Sequence, residues 1–280
     1  MQLFAIETGH FKLDGGAMFG VVPKSLWSRT YPADENNLIN MSMRCLLVVN
    51  GDRKILINNG MGNKNKDKNT LYFHLDDSTV NLGNSLAKHD FSMDSITDVF
   101  LTHLHFDHCG GSVDEDENGN LFLAFPNAVF HVSRQQWEWA INPNKREKPS
   151  YPPENLLPMK ERLNLFEKDG ELFPGFSYKI YNGHTMGQAI PFINYNGKTV
   201  VFTSDVLPTS AHIPLPYIMS YDIQPLTTLE EKESLLKEAV ENDFVLFFEH
   251  DFYTECCTLE STAKGVKVKE KYTLAEISGH

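Results

Sequence analysis

The sequence predicts a mixed α/β protein, and three observations carry that reading. Apolar runs of strand length recur along the 280 residues, stretches with apolar residues at helical spacing lie between them, and several runs stop at turn residues carrying His or Asp. With 41% of its residues hydrophobic, the chain can bury a large core. One domain over residues 1–280 and two fused halves both suit that length, and one domain is the expectation.

Taken in order, the first strand-like run is 3–11. Gly15, Gly16 and Gly20 then lie close together and fit a tight hairpin between the first strands, where glycine adopts positive φ at little cost. Runs 45–49 and 54–58 follow, with Cys45 read as a core residue. Run 96–101 ends at a histidine cluster, and 128–132 completes the strands of this half. Helices are expected at 134–141 and 155–166, the second interrupted by Pro158. Residues 176–181 alternate apolar and polar and stop at Asn182-Gly183-His184-Thr185, while 199–202 runs into Thr203-Ser204-Asp205. The clearest helix is 229–241, where Leu229, Leu236, Ala239 and Val240 recur at helical spacing and Thr228 with Glu231 suits a capping box. Run 244–248 leads into Glu249-His250-Asp251. Last, Val266-Lys267-Val268-Lys269 alternates as a strand whose lysines face water and discourage edge pairing.

The run Thr102-His103-Leu104-His105-Phe106-Asp107-His108 is the densest chemistry in the chain. Side chains two apart in an extended or looped segment point the same way, so His103 and His105 can grip one ion with Asp107 near them. His108 points elsewhere and can serve a second ion. Imidazole with carboxylate makes a borderline site that accepts zinc, manganese or iron. A catalytic site needs ligands from other segments, and His184, Asp205 and His250 each end an apolar run, where α/β proteins gather such groups.

His-x-His-x-Asp-His at 103–108, Gly183-His184, Ser204-Asp205 and the late His250 together resemble the metallo-β-lactamase-fold hydrolase superfamily over nearly the whole chain. The resemblance implies an αββα sandwich, two packed mixed β-sheets flanked by helices with the metals at one edge. It implies two divalent metal ions, zinc first, with manganese or iron as alternatives. His103, His105 and His184 would hold the first, Asp107, His108 and His250 the second, and Asp205 would bridge both. The N-terminal stretch 13–24, with Trp27 and Pro32-Ala33-Asp34-Glu35, looks like the subgroup of N-acyl-homoserine lactone lactonases and methyl parathion hydrolase-like enzymes. One departure stands out: Ile57-Asn58-Asn59-Gly60 occupies the place where the superfamily usually has Asp, a small hydroxyl residue and Gly. That Asp orients metal ligands from behind, so hydrogen bonding there is expected to be weaker or different.

Two neighbouring cations lower the pKa of a shared water from about 15.7 toward 7, which supplies hydroxide as nucleophile and stabilises the oxyanion that forms. Asp107, Asp205 and Tyr221 are the expected catalytic residues, Asp205 passing a proton to the leaving alkoxide and Tyr221, or Tyr217, polarising the carbonyl as a pocket Tyr does in the lactonase family. Met18, Phe19, Trp27, Tyr217, Met219 and Tyr221 are candidates for an apolar substrate wall, and 207–221 is long enough to cover the metals. His212 follows Asp205 closely enough to line the pocket. The expected reaction is lactone opening. Cleavage of phosphotriesters, other esters or thioesters is the alternative, and a noncatalytic metal-dependent ligand-binding module is the alternative outside enzymes.

The formal net charge of −12 opposes nucleic-acid binding, which needs a basic footprint. Lysines in 64–68 and 264–271 are read as solvated surface, and Asp114-Glu115-Asp116-Glu117 as an exposed hairpin turn rather than a calcium loop. No basic leader precedes a long apolar stretch, and no run reaches the ~18 apolar residues of a membrane helix, so a soluble cytoplasmic protein is expected. Cys45, Cys109, Cys256 and Cys257 show neither disulfide nor zinc-ribbon spacing, and Cys109 is read as a bystander to the metal loop. His10, His74, His89, His131 and His280 have no ligand context. The expected partner is a small-molecule ester or lactone, with no nucleic acid and no membrane; a homodimer stays open.

Overall fold

An apolar run with no polar break suits a strand covered on both faces, and in the computed structural model Cys45, Leu46, Leu47 and Val48 lie fully buried within one long strand. The structure describes residues 1–64 and 66–278; His280 lies outside them. The strands are β1 (Gln2–Asp14), β2 (Leu38–Asn50), β3 (Arg53–Ile57), β4 (Asp98–Phe100), β5 (Val113–Glu115), β6 (Leu121–Leu123), β7 (Val129–Ser133), β8 (Leu163–Phe166), β9 (Gly170–Phe173), β10 (Phe176–Tyr181), β11 (Gln188–Tyr195), β12 (Lys198–Phe202), β13 (Val245–Phe247), β14 (Cys256–Thr262) and β15 (Gly265–Tyr272).

One sheet has the order β1-β2-β3-β4-β7-β8, another β15-β14-β13-β12-β11-β10-β9, and β5 with β6 makes a small ribbon. Both large sheets are mixed. In the first, β2 and β3 pair antiparallel while β3, β4, β7 and β8 run parallel. In the second, β12 and β13 pair parallel, with antiparallel neighbours to either side. Helices intervene, so the mixed α/β class read from the sequence is the class observed.

The chain gathers into two units, one of Met1–His10, Met43–Lys168 and Gly187–Ala189, the other of Phe11–Ser42, Asp169–Met186 and everything from Ile190 onward. In the first, Leu47, Leu56, Val99, Leu101, Phe130 and Val132 pack with Trp137 of the helix Arg134–Ile141. That helix occupies its expected span, and the Ser133 hydroxyl caps it by accepting from the Gln136 amide. In the second, Ile190, Val201, Leu246 and Cys257 pack with Leu235, Leu236 and Ala239 of the helix Pro225–Glu241.

Several expectations are corrected. The long helix begins a turn before 229, because Pro225 fits a first turn whose amides lack intrahelical partners anyway. The capping box does not form, since the Glu231 carboxylate accepts instead from the amides of Asn182 and Gly183, at 2.6 and 2.9 Å. Residues 155–166 are not one helix: a short turn at Pro153–Leu156 and a 3-10 stretch at Leu157–Arg162 give way to β8, which pairs with β7. Gly15 and Gly16 form no hairpin but open a one-turn helix, Gly15–Phe19, capped by Asp14, and a Cβ on Gly15 would run into the Trp27 ring.

Lys64 is no surface lysine. It is 5% exposed, its ammonium donates to the carbonyls of Gly110 and Val113, and burial pulls its pKa down. Lys264, Lys267, Lys269 and Lys271 are exposed as expected, with Val266 and Val268 of β15 turned against the second core. Asp116 accepts from the amides of Asn118 and Asn120 and closes the exposed β5–β6 hairpin, as the acidic run suggested. All four cysteines are free and buried. No helix among the described residues is long and apolar enough to cross a membrane.

Candidate metal centre

In the first unit the donors follow β4. The amide of Thr102 donates to Asn58 Oδ1 at 2.9 Å and its carbonyl accepts from Ala189, which fixes the chain just before His103. His103 Nε2 and His105 Nδ1 then stand 3.0 Å apart. Behind them, His103 Nδ1 lies 3.1 Å from the Thr102 hydroxyl, and His105 Nε2 lies 3.5 Å from the Glu147 carboxylate. Glu147 is itself buried and accepts from Trp139 Nε1 and Asn144 Nδ2. Asp107 and His108 sit on the single helical turn Phe106–Cys109, with His108 Nε2 3.6 Å from Asp107 Oδ2 and His108 Nδ1 3.1 Å from Asn58 Nδ2.

In the second unit the donors follow β10, β12 and β13. The turn after β10 is tied to the long helix by Glu231 and by close packing, since a Cβ on Gly183 would overlap the Thr228 amide. Asp205 lies on a 3-10 turn entered through Ser204 at φ 42°, a left-handed conformation that a non-glycine residue adopts only when its surroundings hold it there. One Asp205 oxygen faces His184 Nε2 at 3.1 Å and the other faces His250 Nε2 at 3.2 Å. The far nitrogens are also engaged: His184 Nδ1 with Asp222 Oδ1 at 2.8 Å and His250 Nδ1 with the Ser42 carbonyl at 2.9 Å.

Burial opposes charge on His184, but Asp205 and Asp222 on either side more than offset it and raise its pKa to about 10. A site that attracts a proton this strongly also suits a metal cation, which competes for the same nitrogen lone pair. The acceptors at Asp222 and Ser42 keep the proton on Nδ1 and leave Nε2 as the donor, the arrangement metal-binding histidines use. The groups that could hold ions are His103, His105, Asp107 and His108 in the first unit and His184, Asp205 and His250 in the second. Imidazole and carboxylate donors in these proportions fit zinc, manganese or iron better than calcium or magnesium.

Other sequence candidates find different roles. His212 Nε2 lies 2.9 Å from the Met18 carbonyl and Nδ1 2.7 Å from the Thr209 hydroxyl, so both ring nitrogens are engaged away from any metal. Burial pushes its pKa down to about 3, which keeps it neutral. Phe19 is stacked between the His212 and Trp27 rings, at 4.5 and 4.9 Å, and neither Phe19 nor Trp27 faces open space. Met18 and Met219 are buried too, whereas Tyr221 is 41% exposed. Cys109 donates to the Leu104 carbonyl, and burial raises its pKa, so it stays a thiol. Reasoning from sequence missed Asp222, Glu147 and the Ser42 carbonyl. Asp222 and Glu147 lie outside any periodic run, and Ser42, in an alternating stretch of β2, contributes only its main-chain carbonyl.

Residues 44–250 match the family model described as the metallo-beta-lactamase superfamily. An N-acyl homoserine lactonase of Bacillus thuringiensis is 27% identical over 236 residues, covering 78% of this chain and 84% of that protein. Among solved structures, a probable metal-dependent hydrolase from Staphylococcus aureus is 31% identical with a TM-score of 0.89, covering 97% of this chain and 96% of that one. AidC, described as a dizinc quorum-quenching lactonase, shares the fold at 22% identity and a TM-score of 0.80, over 96% of this chain and 94% of its own.

Proposed function

We propose, from the premise that the chain belongs to the metallo-beta-lactamase superfamily, that this metal-dependent hydrolase opens lactone rings, N-acyl-homoserine lactones first among them, with two divalent cations, zinc before manganese or iron. His103, His105 and His184 would hold one cation and Asp107, His108 and His250 the other, with Asp205 serving both. The observation that carries this reading is the posture of Asp205, whose two oxygens address two different imidazoles at nearly equal distance. A carboxylate so divided suits a bridge. The Bacillus thuringiensis lactonase supports the substrate class.

When bound, such a cation pair lowers the pKa of water toward 7 and draws charge from an ester carbonyl. Water adds to the acyl carbon, the ring C–O bond breaks, and the released alkoxide needs a proton. Asp205 would carry that proton on a carboxylate oxygen. Asp107 contributes its carboxylate beside His108. Tyr221, 41% exposed, would bring its hydroxyl to the carbonyl oxygen.

The test is a panel of lactones, phosphotriesters, esters and thioesters, run with metal-stripped and metal-restored protein. Lactone opening that disappears with the metal and returns with it supports the reading. Restored turnover that prefers phosphotriesters or thioesters overturns the substrate assignment.

A further inference from the structure

A ring nitrogen can give a lone pair to a cation only if the proton sits on the other nitrogen, and the neighbour of that other nitrogen decides where the proton stays. Four of the five imidazoles face an oxygen there: Asp222 behind His184, the Ser42 carbonyl behind His250, the Thr102 hydroxyl behind His103 and, at the longer distance of 3.5 Å, the Glu147 carboxylate behind His105. His108 differs. The neighbour of its Nδ1 is the amide nitrogen of Asn58, at 3.1 Å, which has only protons to offer.

Turning the Asn58 amide over does not resolve the mismatch. Its Oδ1 accepts from the Thr102 backbone N–H at 2.9 Å, and its Nδ2 donates to the Thr102 hydroxyl at 2.9 Å. Reversed, the amide would give His108 an oxygen but set its NH2 against a main-chain N–H, which cannot become an acceptor. One side-chain oxygen is asked to serve two donors on opposite sides. Asn58 is also held in place, being fully buried with its backbone at φ 58°.

We infer that Asn58 makes the two cation sites unequal: it favours the His108 tautomer with the proton on Nε2, so the site of Asp107, His108 and His250 takes its cation more weakly and after the other. The inference rests on the two-cation reading above. Asn58 acts here as a positioning residue, setting which nitrogen of His108 is available. An aspartate at 58 would present an oxygen to His108 and another to Thr102 at once, removing the conflict.

The experiment titrates zinc into the full-length metal-stripped protein and into Asn58→Asp, by calorimetry and chelator competition. The wild type is expected to fill in two steps at least ~10-fold apart, and Asn58→Asp to tighten the weaker step by roughly 10–100-fold while leaving the stronger one in place. Thermal melts establish that the variant folds. A second measurement needs no substitution at 58: long-range 15N–1H correlation on wild-type protein carrying one equivalent of zinc, with the His108 signals identified by their loss in His108→Gln. A proton on Nε2 is expected, and a proton on Nδ1 overturns the inference. Equal wild-type affinities, or a weaker step unmoved in Asn58→Asp, also overturn it while leaving the two-cation reading intact. A protein that binds no zinc overturns both.

Discussion

Asp222 Oδ1 lies 2.8 Å from Nδ1 of His184, and each side chain is about 1% exposed. That bond fixes the ring's orientation and its proton, and it adds negative charge that makes Nε2 a better donor. Asp222→Asn removes the charge and keeps the shape. Metal affinity should fall roughly 10–100-fold, the usual effect of losing such a partner, with hydrolysis falling alongside at limiting metal. Chelator competition measures the first and a metal-saturated assay separates the second. Unchanged affinity would show that Asp222 merely fills space.

His105→Ala removes a donor that stands 3.0 Å from His103 Nε2 and lies over Tyr151, with ring centroids 4.9 Å apart. The variant should lose metal and at least ~10²-fold in rate, the scale expected when cation-assisted charge stabilisation is lost. Metal content by atomic absorption and turnover should drop together. Wild-type turnover in a variant that holds no metal would remove the cation from the reaction.

The seven candidate donors can be picked out in the sequence because each follows a strand-like run, and the alternation of side chains along an extended segment suggests His103 together with His105. Their supports cannot. Ser42 acts through a main-chain carbonyl, which no residue type announces. Asp222 and Glu147 lie in irregular stretches and reach their histidines only through the fold. Lys64 resembles its exposed neighbours Lys66 and Lys68 in sequence, yet two carbonyls capture its ammonium. The same competition explains the elements. Residues 163–166 join β7 rather than continue a helix weakened by Pro158, and Glu231 leaves its capping position for the amides of 182 and 183, which lie within its reach.

Glu231 therefore couples the long helix to the turn that presents His184. Burial raises its carboxyl pKa, against the pull of the two amides that bind it. Glu231→Ala leaves the Asn182 and Gly183 amides without this acceptor and should cost about 1–3 kcal/mol of stability. Because His184 sits one residue beyond, metal affinity should weaken as well. Urea unfolding of metal-free protein reads the stability loss, and zinc titration reads the coupling. A destabilised variant with unaltered zinc affinity would show that the turn keeps its shape without Glu231.

Asp98 gives the fold a dependence on acid that is independent of the metal donors. Burial works against its charge, but bonds from His131 at 2.8 Å, Arg53 at 2.6 Å and the Thr97 hydroxyl at 2.7 Å outweigh it and hold the carboxyl well below its ordinary 3.8. A carboxyl whose pKa is lower folded than unfolded stabilises the protein above the unfolded value. That stabilisation is lost as pH falls through the window between the unfolded and the folded values. Asp98→Asn should thus cost about 1–3 kcal/mol near neutral pH, the range for bonds to a charged group. The gap between variant and wild type should narrow below about pH 4, where the wild-type unfolded chain begins to bind the proton. Urea unfolding of both metal-free proteins across pH 3 to 7 measures it, and a gap that stays constant over that range would show that the Asp98 charge contributes nothing to stability.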